Sequence, residues 1–238
     1  MKNSIISLFS KTLNFLRTKE SKHPIINDIF ESTYIKYSGY TMIPKDIYID
    51  NLKLCIQFNN IDGDVYECGV WKGGMIAGLA TILKDTRTYY LLDSFEGLPE
   101  VKDIDGTNAK KWQLNTKGEF YHDNCRAKME FAKELMKSTK VNFHLIKGWF
   151  NITLPTLKVK KPIAILRLDG DWYDSTIDCL KYLYPKVAKD GLIIIDDYFA
   201  WDGCSRAVHD YLSSIKSLSR LRITDAGVCY IIKNDPFE

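Results

Sequence analysis

The 238-residue chain has little of what defines several large classes of protein. Its formal net charge is only +3, and no run of five or six like charges occurs, so nucleic acid is not indicated as a partner. No apolar stretch is long enough to cross a bilayer. The amphipathic residues 1–17 are followed by no signal-peptide cleavage pattern, and we expect them to dock on their own domain or a second subunit rather than on a membrane surface.

The cysteines also lack the spacing of a metal site or a redox pair. None of the six forms a C-x-x-C pair, and Cys55, Cys68, Cys179 and Cys229 lie inside apolar patterns. Such residues behave as small buried hydrophobes rather than as a disulfide framework. We therefore expect a reducing, cytoplasmic location.

The fold is indicated by the stretch 162–198. Two short apolar runs rich in β-branched residues, Ile163–Leu168 and Leu192–Ile195, are separated by a segment with helical spacing. This is a βαβ unit, and strands apolar on both faces belong to a parallel sheet covered by helices. Further strands are predicted at about 64–68, 88–92, 141–146, 221–224 and 228–232, with helices at 123–137 and 204–215.

The sequence thus predicts an α/β fold with a doubly wound, mostly parallel sheet and an antiparallel hairpin at its C-terminal end. Residues 1–60 are predicted to form an N-terminal helical extension or lid, and residues 61–238 the catalytic domain. Residues 97–120 have no clear periodicity.

Carboxylates follow both strands of the βαβ unit. Asp169 and Asp171 come after the first strand, and Asp196 and Asp197 after the second. If the strands are neighbours, the four acids converge at the carboxyl edge of the sheet, where open α/β folds bind ligands. Grouped carboxylate oxygens suit a hard divalent cation such as Mg²⁺. Alternatively, the acids only cap the next helix or lie in solvated loops.

A glycine-rich turn joins the first sheet strand to its helix. Residues 67–74 follow the pattern E-x-G-x-x-x-G, and the next strand ends in Asp93, about 25 residues later. Glycines there let a ligand approach the backbone, and Asp93 is placed to accept hydrogen bonds from both ribose hydroxyls of a nucleoside. Because no diphosphate cradle is evident, S-adenosylmethionine is favoured over NAD.

Five motifs together resemble the macrocin-type O-methyltransferases, the TylF-like sugar O-methyltransferases of macrolide and aminocoumarin biosynthesis. The motifs are ECGVWKGG at 67–74, LLDSFEGLP at 91–99, KGWFNITLP at 147–155, LRLDGDWYDST at 166–176 and IIDDYFAWDGCSRAV at 194–208. The resemblance covers residues 60–215 and implies a Rossmann-like class I methyltransferase fold. It also implies S-adenosylmethionine and Mg²⁺ as cofactors and a sugar hydroxyl as acceptor.

The same resemblance implies roles for individual residues. The cofactor-binding set is Glu67, Gly69, Val70, Trp71, Asp93, Ser94, Trp149 and Phe150. Asp169, Asp196 and Asp197 match the metal-binding acids, and Asp169 also matches the general base. Asp171 is expected to orient its loop or the following helix.

The function predicted is Mg²⁺-dependent methyl transfer from S-adenosylmethionine to a sugar hydroxyl of a glycan, a nucleotide sugar or a glycosylated natural product. The expected partners are a small-molecule sugar or glycoside acceptor and further copies of the chain in a homo-oligomer. One alternative takes Asp169 and Asp171 as the D-x-D motif of a metal-dependent glycosyltransferase. The other is a non-catalytic binding module of a glycan assembly complex.

Overall fold

The computed structural model describes residues 24–235, in which seven strands form one sheet. The strands are β1 Asp64–Cys68, β2 Tyr89–Asp93, β3 Phe143–Lys147, β4 Ile163–Leu168, β5 Val187–Ile195, β6 Leu221–Ile223 and β7 Cys229–Ile232. Their order in the sheet is β3-β2-β1-β4-β5-β7-β6. Strands β1 to β5 are parallel, and β7 is antiparallel to both β5 and β6. The predicted mostly parallel sheet and closing hairpin are confirmed.

Helices cover both faces of this sheet. They are α1 Pro24–Tyr37, α2 Lys45–Ile56, α3 Gly74–Leu83, α4 Gly106–Leu114, α5 Met129–Thr139, α6 Phe150–Thr153, α7 Tyr173–Leu183 and α8 Asp202–Ser214. None of the helices within the described residues has the length and apolarity needed to cross a membrane.

The central strands form helix-covered layers because their residues alternate between two apolar clusters. Along β5, Leu192 and Ile194 belong to the cluster under α1, α2, α3 and α5, whereas Ile193 and Ile195 belong to the cluster under α7 and α8. Each fully buried side chain of this size stabilises the fold by about 1.5–3 kcal/mol. The cysteines described above as apolar are buried, and all six are unpaired.

Helices α1 and α2 share the core of the sheet domain. The Tyr48 hydroxyl donates a hydrogen bond to the Gly74 carbonyl at 2.9 Å, and a Cβ atom at Gly78 would lie 2.0 Å from that hydroxyl oxygen. The glycine therefore permits the close approach of α2 to α3. The amphipathic residues 1–17 lie outside the described residues.

The helix predicted over 123–137 begins later, at Met129, because the backbone of several preceding residues is left-handed. All four residues of His122–Cys125 have positive φ angles between 42° and 59°. Left-handed backbone costs roughly 1–2 kcal/mol per L-residue, and only short polar side chains such as Asn124 tolerate it well. A helical pattern in the sequence cannot reveal such a reversal.

The aperiodic residues 97–120 contain α4 and are held by side-chain amides. Gln113 accepts a hydrogen bond from the Val101 N–H at 2.8 Å and donates to the Pro99 carbonyl at 2.9 Å. It also donates to the Asn124 side chain at 3.1 Å. We call residues 97–125 the lid segment; its side-chain bonds give it a defined fold without an amphipathic pattern.

Candidate active site

A cavity of about 360 Å³ lies at the carboxyl ends of the parallel strands. Its walls come from residues 40–47, the glycine turn after β1, the lid segment and the loops after β4 and β5. Every residue predicted for the site lines it: Glu67, Gly69, Val70, Trp71, Asp93, Ser94, Trp149, Phe150, Asp169, Asp196 and Asp197. The structure therefore brings the predicted cofactor and metal residues into one cavity.

Gly69 joins the two strands that carry most of this site. It has a φ of +86°, and a Cβ atom there would lie 1.6 Å from the Asp169 carbonyl oxygen. No other residue fits, because β1 and β4 are direct neighbours and their carboxyl ends touch at this point. We predicted a glycine here because a ligand must approach the backbone closely. The structure shows that the packing of Gly69 against Asp169 requires a glycine in any case.

Asp93 holds the glycine turn in place. Its Oδ2 accepts hydrogen bonds from the N–H groups of Val70 at 2.7 Å and Trp71 at 2.9 Å, and its Oδ1 accepts one from Phe95 at 2.6 Å. Burial raises the pKa of this carboxyl despite those bonds. Both lone pairs of Oδ2 are occupied, so only Oδ1 has capacity for a ribose hydroxyl, fewer bonds than the sequence suggested.

Ser94 also forms hydrogen bonds within its own turn. Its hydroxyl accepts a hydrogen bond from the Glu96 N–H at 3.0 Å and donates to the Gly97 carbonyl at 3.2 Å. Trp149 and Phe150 follow β3 and close the cavity on the adjoining side. These three residues shape the wall, and the serine hydroxyl is already engaged within its turn.

A buried ion-pair network lies beneath the cavity and centres on Arg167. The side chain of Arg167 is fully buried, and its Nη1 donates to Glu67 Oε1 at 2.9 Å and to Asp169 Oδ2 at 2.7 Å. Its Nη2 lies 2.5 Å from Asp196 Oδ1. Burial lowers the pKa of Arg167, but Asp196, Asp169 and Glu67 outweigh it and raise the pKa overall. Arg167 thus pairs with three carboxylates at the carboxyl ends of β1, β4 and β5.

A second group of acids, which shares Asp169 with the first, also lines the cavity. One carboxylate oxygen from each of Asp169, Asp171 and Asp197 lies within 4.8 Å of the others. The N–H of Asp171, a residue with a φ of 57°, donates to Asp197 Oδ2 at 3.0 Å. The metal-binding set implied by the resemblance contains Asp196 in place of Asp171. In the structure, the Asp196 carboxylate pairs with Arg167.

Several of the acids that line the cavity have raised pKa values because they are buried close to one another. Burial, reinforced by Asp169, raises the pKa of Asp171 to about 8, and burial followed by Asp171 raises that of Asp197 well above its usual range. The pKa of Asp196 rises to about 6 because of burial, which Arg167 partly offsets. Burial likewise raises the pKa of Glu67 to about 8 against the effect of Arg167. Carboxylates crowded in this way attract a cation.

An aromatic cluster in the cavity wall was not found from the sequence. Trp201 donates its Nε1–H to Asp171 Oδ1 at 2.9 Å, and its ring contacts those of Trp112 and Trp172. Trp112 and Trp201 line the cavity, whereas Trp172 is fully buried behind them. Trp112 and Trp172 are 60 residues apart in sequence, and Trp172 and Trp201 are 29 residues apart. No local sequence pattern could therefore predict that they contact one another.

Four further residues lie near the site without lining the cavity. Tyr198 and His209 contact each other through the hydroxyl and Nε2 at 2.8 Å and are not among the residues that line the cavity. Lys72 lies over the Trp71 ring with its Nζ 4.2 Å from the centroid. Helix α8 begins at Asp202, and its N-cap position is held by Trp201.

A mostly parallel sheet with an antiparallel last strand and a ligand cavity beside its first glycine turn defines a class I methyltransferase. The chain belongs to the macrocin-O-methyltransferase (TylF) family, whose model matches residues 27–231. The resemblance stated from five motifs is thereby confirmed.

Two relatives are named as O-methyltransferases, and the name of the second specifies a rhamnosyl group. The chain is 33% identical over 190 residues to demethyldecarbamoylnovobiocin O-methyltransferase of Streptomyces niveus, covering 76% of this chain and 71% of that protein. It is 36% identical over 171 residues to the 8-demethyl-8-(2,3-dimethoxy-alpha-L-rhamnosyl)-tetracenomycin-C 4'-O-methyltransferase of Streptomyces olivaceus, covering 68% of this chain and 64% of that protein. Among solved structures, the O-methyltransferase NovP superposes with a TM-score of 0.67 at 31% identity, with 82% of each chain covered.

Proposed function

We propose that the protein transfers the methyl group of S-adenosylmethionine to a hydroxyl of a neutral sugar in a glycoside, with Mg²⁺ as its metal cofactor. The observation that carries this proposal is the shared cavity, in which a glycine turn with unpaired polar atoms faces a group of convergent carboxylates. The name of one relative, which specifies a rhamnosyl group on its acceptor, supports the same acceptor class.

The glycine-turn side fits the amino-acid end of S-adenosylmethionine. Two buried polar atoms there, Glu67 Oε2 and Trp71 Nε1, have no hydrogen-bond partner within the described part of the chain. A buried polar atom without a partner is costly, and a bound ligand is one way to satisfy it. An ammonium group would donate to Glu67 and a carboxylate would accept from Trp71, so a zwitterion satisfies both atoms.

The charge of the cavity supports a cationic donor and a neutral acceptor. Six carboxylate side chains line it, while no lysine or arginine does so among residues 24–235. Such a lining favours a sulfonium ion, because a cation beside the acids favours their ionised forms, and it offers phosphate groups no lysine or arginine partner from the described part of the chain. A nucleotide sugar would bring a diphosphate into this cavity, where no lysine or arginine among residues 24–235 is placed to pair it. We therefore favour a glycoside acceptor over a nucleotide sugar.

The convergent acids fit Mg²⁺, which prefers carboxylate oxygens. Asp169 and Asp197 belong both to the convergent group and to the set expected from the resemblance, so we assign the metal to these two residues first. Asp171 completes the group, and its Oδ1 also accepts a hydrogen bond from Trp201. Bound Mg²⁺ would supply Lewis-acid stabilisation of the negative charge that develops on the acceptor oxygen.

Asp169 is the residue placed to take the acceptor proton. Its Oδ2 accepts from Arg167, which fixes the carboxylate and leaves Oδ1 available on the cavity side. In the proposed step the acceptor hydroxyl gives its proton to Asp169 while its oxygen bonds to the methyl carbon. The bond from that carbon to sulfur breaks, and its electron pair stays on sulfur. A free aspartate is a weak base, with a pKa of about 3.9, so the role depends on activation of the hydroxyl by the metal.

Calorimetric titration with S-adenosylhomocysteine, in Mg²⁺ and separately in EDTA, tests the cofactor. We expect binding under both conditions, because the glycine turn holds this ligand and the acids face the acceptor. Trp71→Phe should weaken it about fivefold to tenfold through loss of one N–H donor, while Trp112→Phe should leave it unchanged. Absence of binding in both buffers would overturn the proposal. Binding of a nucleotide sugar with Mn²⁺ would then favour a glycosyltransferase.

A further inference from the structure

We infer that Trp112 and Trp201 form the stacking platform for the acceptor sugar and thereby determine which hydroxyl reaches the acids. This inference rests on the proposed function. A pyranose ring has apolar C–H faces and a polar hydroxyl edge, so its binding site needs an aromatic surface beside polar groups. The cavity offers that combination at one place.

In the tryptophan cluster, one ring is buried and supports two rings that are partly accessible. The Trp172 ring centroid lies 5.2 Å from that of Trp201 and 5.9 Å from that of Trp112, both nearly edge-to-face. Trp172 is 1% exposed, and its Nε1–H donates to the Pro99 carbonyl at 3.0 Å. Its hydrogen-bonding capacity is used and its ring is covered, so it supports the other two. Trp112 and Trp201 remain partly accessible and line the cavity.

The platform begins directly beside the acids. The hydrogen bond from Trp201 Nε1 to Asp171 Oδ1 fixes the indole against the carboxylate group that includes Asp169. The rings of Trp112 and Trp201 meet edge-to-face, with an interplanar angle of 66°, and so form a corner. A sugar whose face rests on the Trp112 indole and whose rim meets Trp201 therefore has one hydroxyl edge directed at the acids. Discrimination between hydroxyls then follows from how the ring lies on the platform.

The platform is held in place by contacts within the protein itself. Trp112 lies on α4 in the lid segment, and its ring also contacts Tyr121, with centroids 5.5 Å apart. The adjacent Gln113 ties α4 to the Pro99 carbonyl. Because these contacts already order the indole, a sugar pays little conformational entropy to stack on it. Side chains so held are suited to select a ligand by shape.

The test is calorimetric titration of the S-adenosylhomocysteine-saturated full chain with methyl α-L-rhamnopyranoside and methyl β-D-glucopyranoside in Mg²⁺. Trp112→Ala should weaken binding of the better glycoside about tenfold, and Trp112→Phe by less, since a ring remains. Tyr182→Ala is the matched control, because Tyr182 is an aromatic residue 40% exposed on α7, away from the cavity. It should bind as the wild type does.

Binding of S-adenosylhomocysteine separates the two proposals. If the wild type binds it and the glycoside, but Trp112→Ala binds the glycoside equally well, the platform is wrong and methyl transfer stands. The platform is also overturned if the wild type binds S-adenosylhomocysteine and neither glycoside. If S-adenosylhomocysteine itself does not bind, the proposed function fails. A loss of glycoside affinity in Trp112→Ala with unchanged S-adenosylhomocysteine affinity supports the platform.

Discussion

The cavity has two sides that are built in different ways. The side proposed to bind the cofactor, residues 67–75 with Asp93 and Ser94 (the cofactor side), is shaped mainly by backbone: left-handed glycines and a carboxylate that accepts three N–H groups. The side proposed to bind the acceptor, formed by Trp112, Trp201 and the acids after β4 and β5 (the acceptor side), is shaped by side chains from distant segments. Backbone geometry suits a constant ligand, whereas side chains are readily exchanged to suit a variable one.

The two sides are joined by Arg167. Its guanidinium group pairs with Glu67 on the cofactor side and with Asp169 on the acceptor side, below the floor of the cavity. A change on one side that moves this group will reach the other. Variants at the two sides can therefore test whether Arg167 couples them and whether they are otherwise independent.

The largest effect is expected for Asp169→Asn, which removes the proposed base and one metal ligand. Methyl transfer to a glycoside should fall by about a thousandfold or more, because general-base catalysis alone contributes 10²–10⁴. S-adenosylhomocysteine affinity should change little, since the cofactor side is held by backbone. Transfer of labelled methyl groups and calorimetry measure the two quantities, with the exposed Asp85→Asn as control. Retained turnover would contradict the assignment of the base.

Arg167→Met should destabilise the fold by about 3–5 kcal/mol, because it leaves buried carboxylates without their counter-charge. The free energy of unfolding is measured by urea denaturation, with the exposed Arg206→Met as control. The double variant Arg167→Met/Glu67→Gln should recover part of the loss. A single variant as stable as Arg206→Met would show that the network does not couple the two sides.

Gly69→Ala should cost about 3 kcal/mol or more, since the new methyl group meets the Asp169 carbonyl and the residue has a positive φ. It should also weaken S-adenosylhomocysteine binding. Gly39→Ala is the matched control, because a Cβ atom there meets nothing within 4 Å. Thermal unfolding of both variants measures the difference, and equal stability would contradict the fixed backbone of the cofactor side.

Gln113→Ala should have the smallest effect. It removes three hydrogen bonds of the lid segment, and we expect a loss of about 1–2 kcal/mol of unfolding free energy. Because α4 carries Trp112, the affinity for a glycoside should fall more than that for S-adenosylhomocysteine. An equal loss of both affinities would show that the two sides are not separately built.

The difference between the two sides also explains what the sequence could predict. Gly69, Asp93 and the acids after β4 and β5 follow strands with strong apolar patterns, so their convergence could be inferred from topology. The engagement of Asp93 by N–H groups and of Asp196 by Arg167 depends on side-chain geometry that no spacing reveals.

The lid segment was less accessible to sequence reasoning. Its fold depends on the amide bonds of Gln113 and on the left-handed turn His122–Cys125, neither of which gives a periodic signal. Trp112 meets Trp201 only in the folded chain, because 89 residues separate them in sequence.

The central claim is that the acids of the acceptor side bind a divalent cation independently of the cofactor side. Mn²⁺ titration of the wild type and of Asp197→Asn, followed by electron paramagnetic resonance, tests it most directly, with S-adenosylhomocysteine affinity measured on the same samples. We predict one Mn²⁺ site in the wild type, an affinity at least about tenfold weaker in the variant, and equal S-adenosylhomocysteine binding in both. Equal Mn²⁺ affinity in the two proteins would contradict the account.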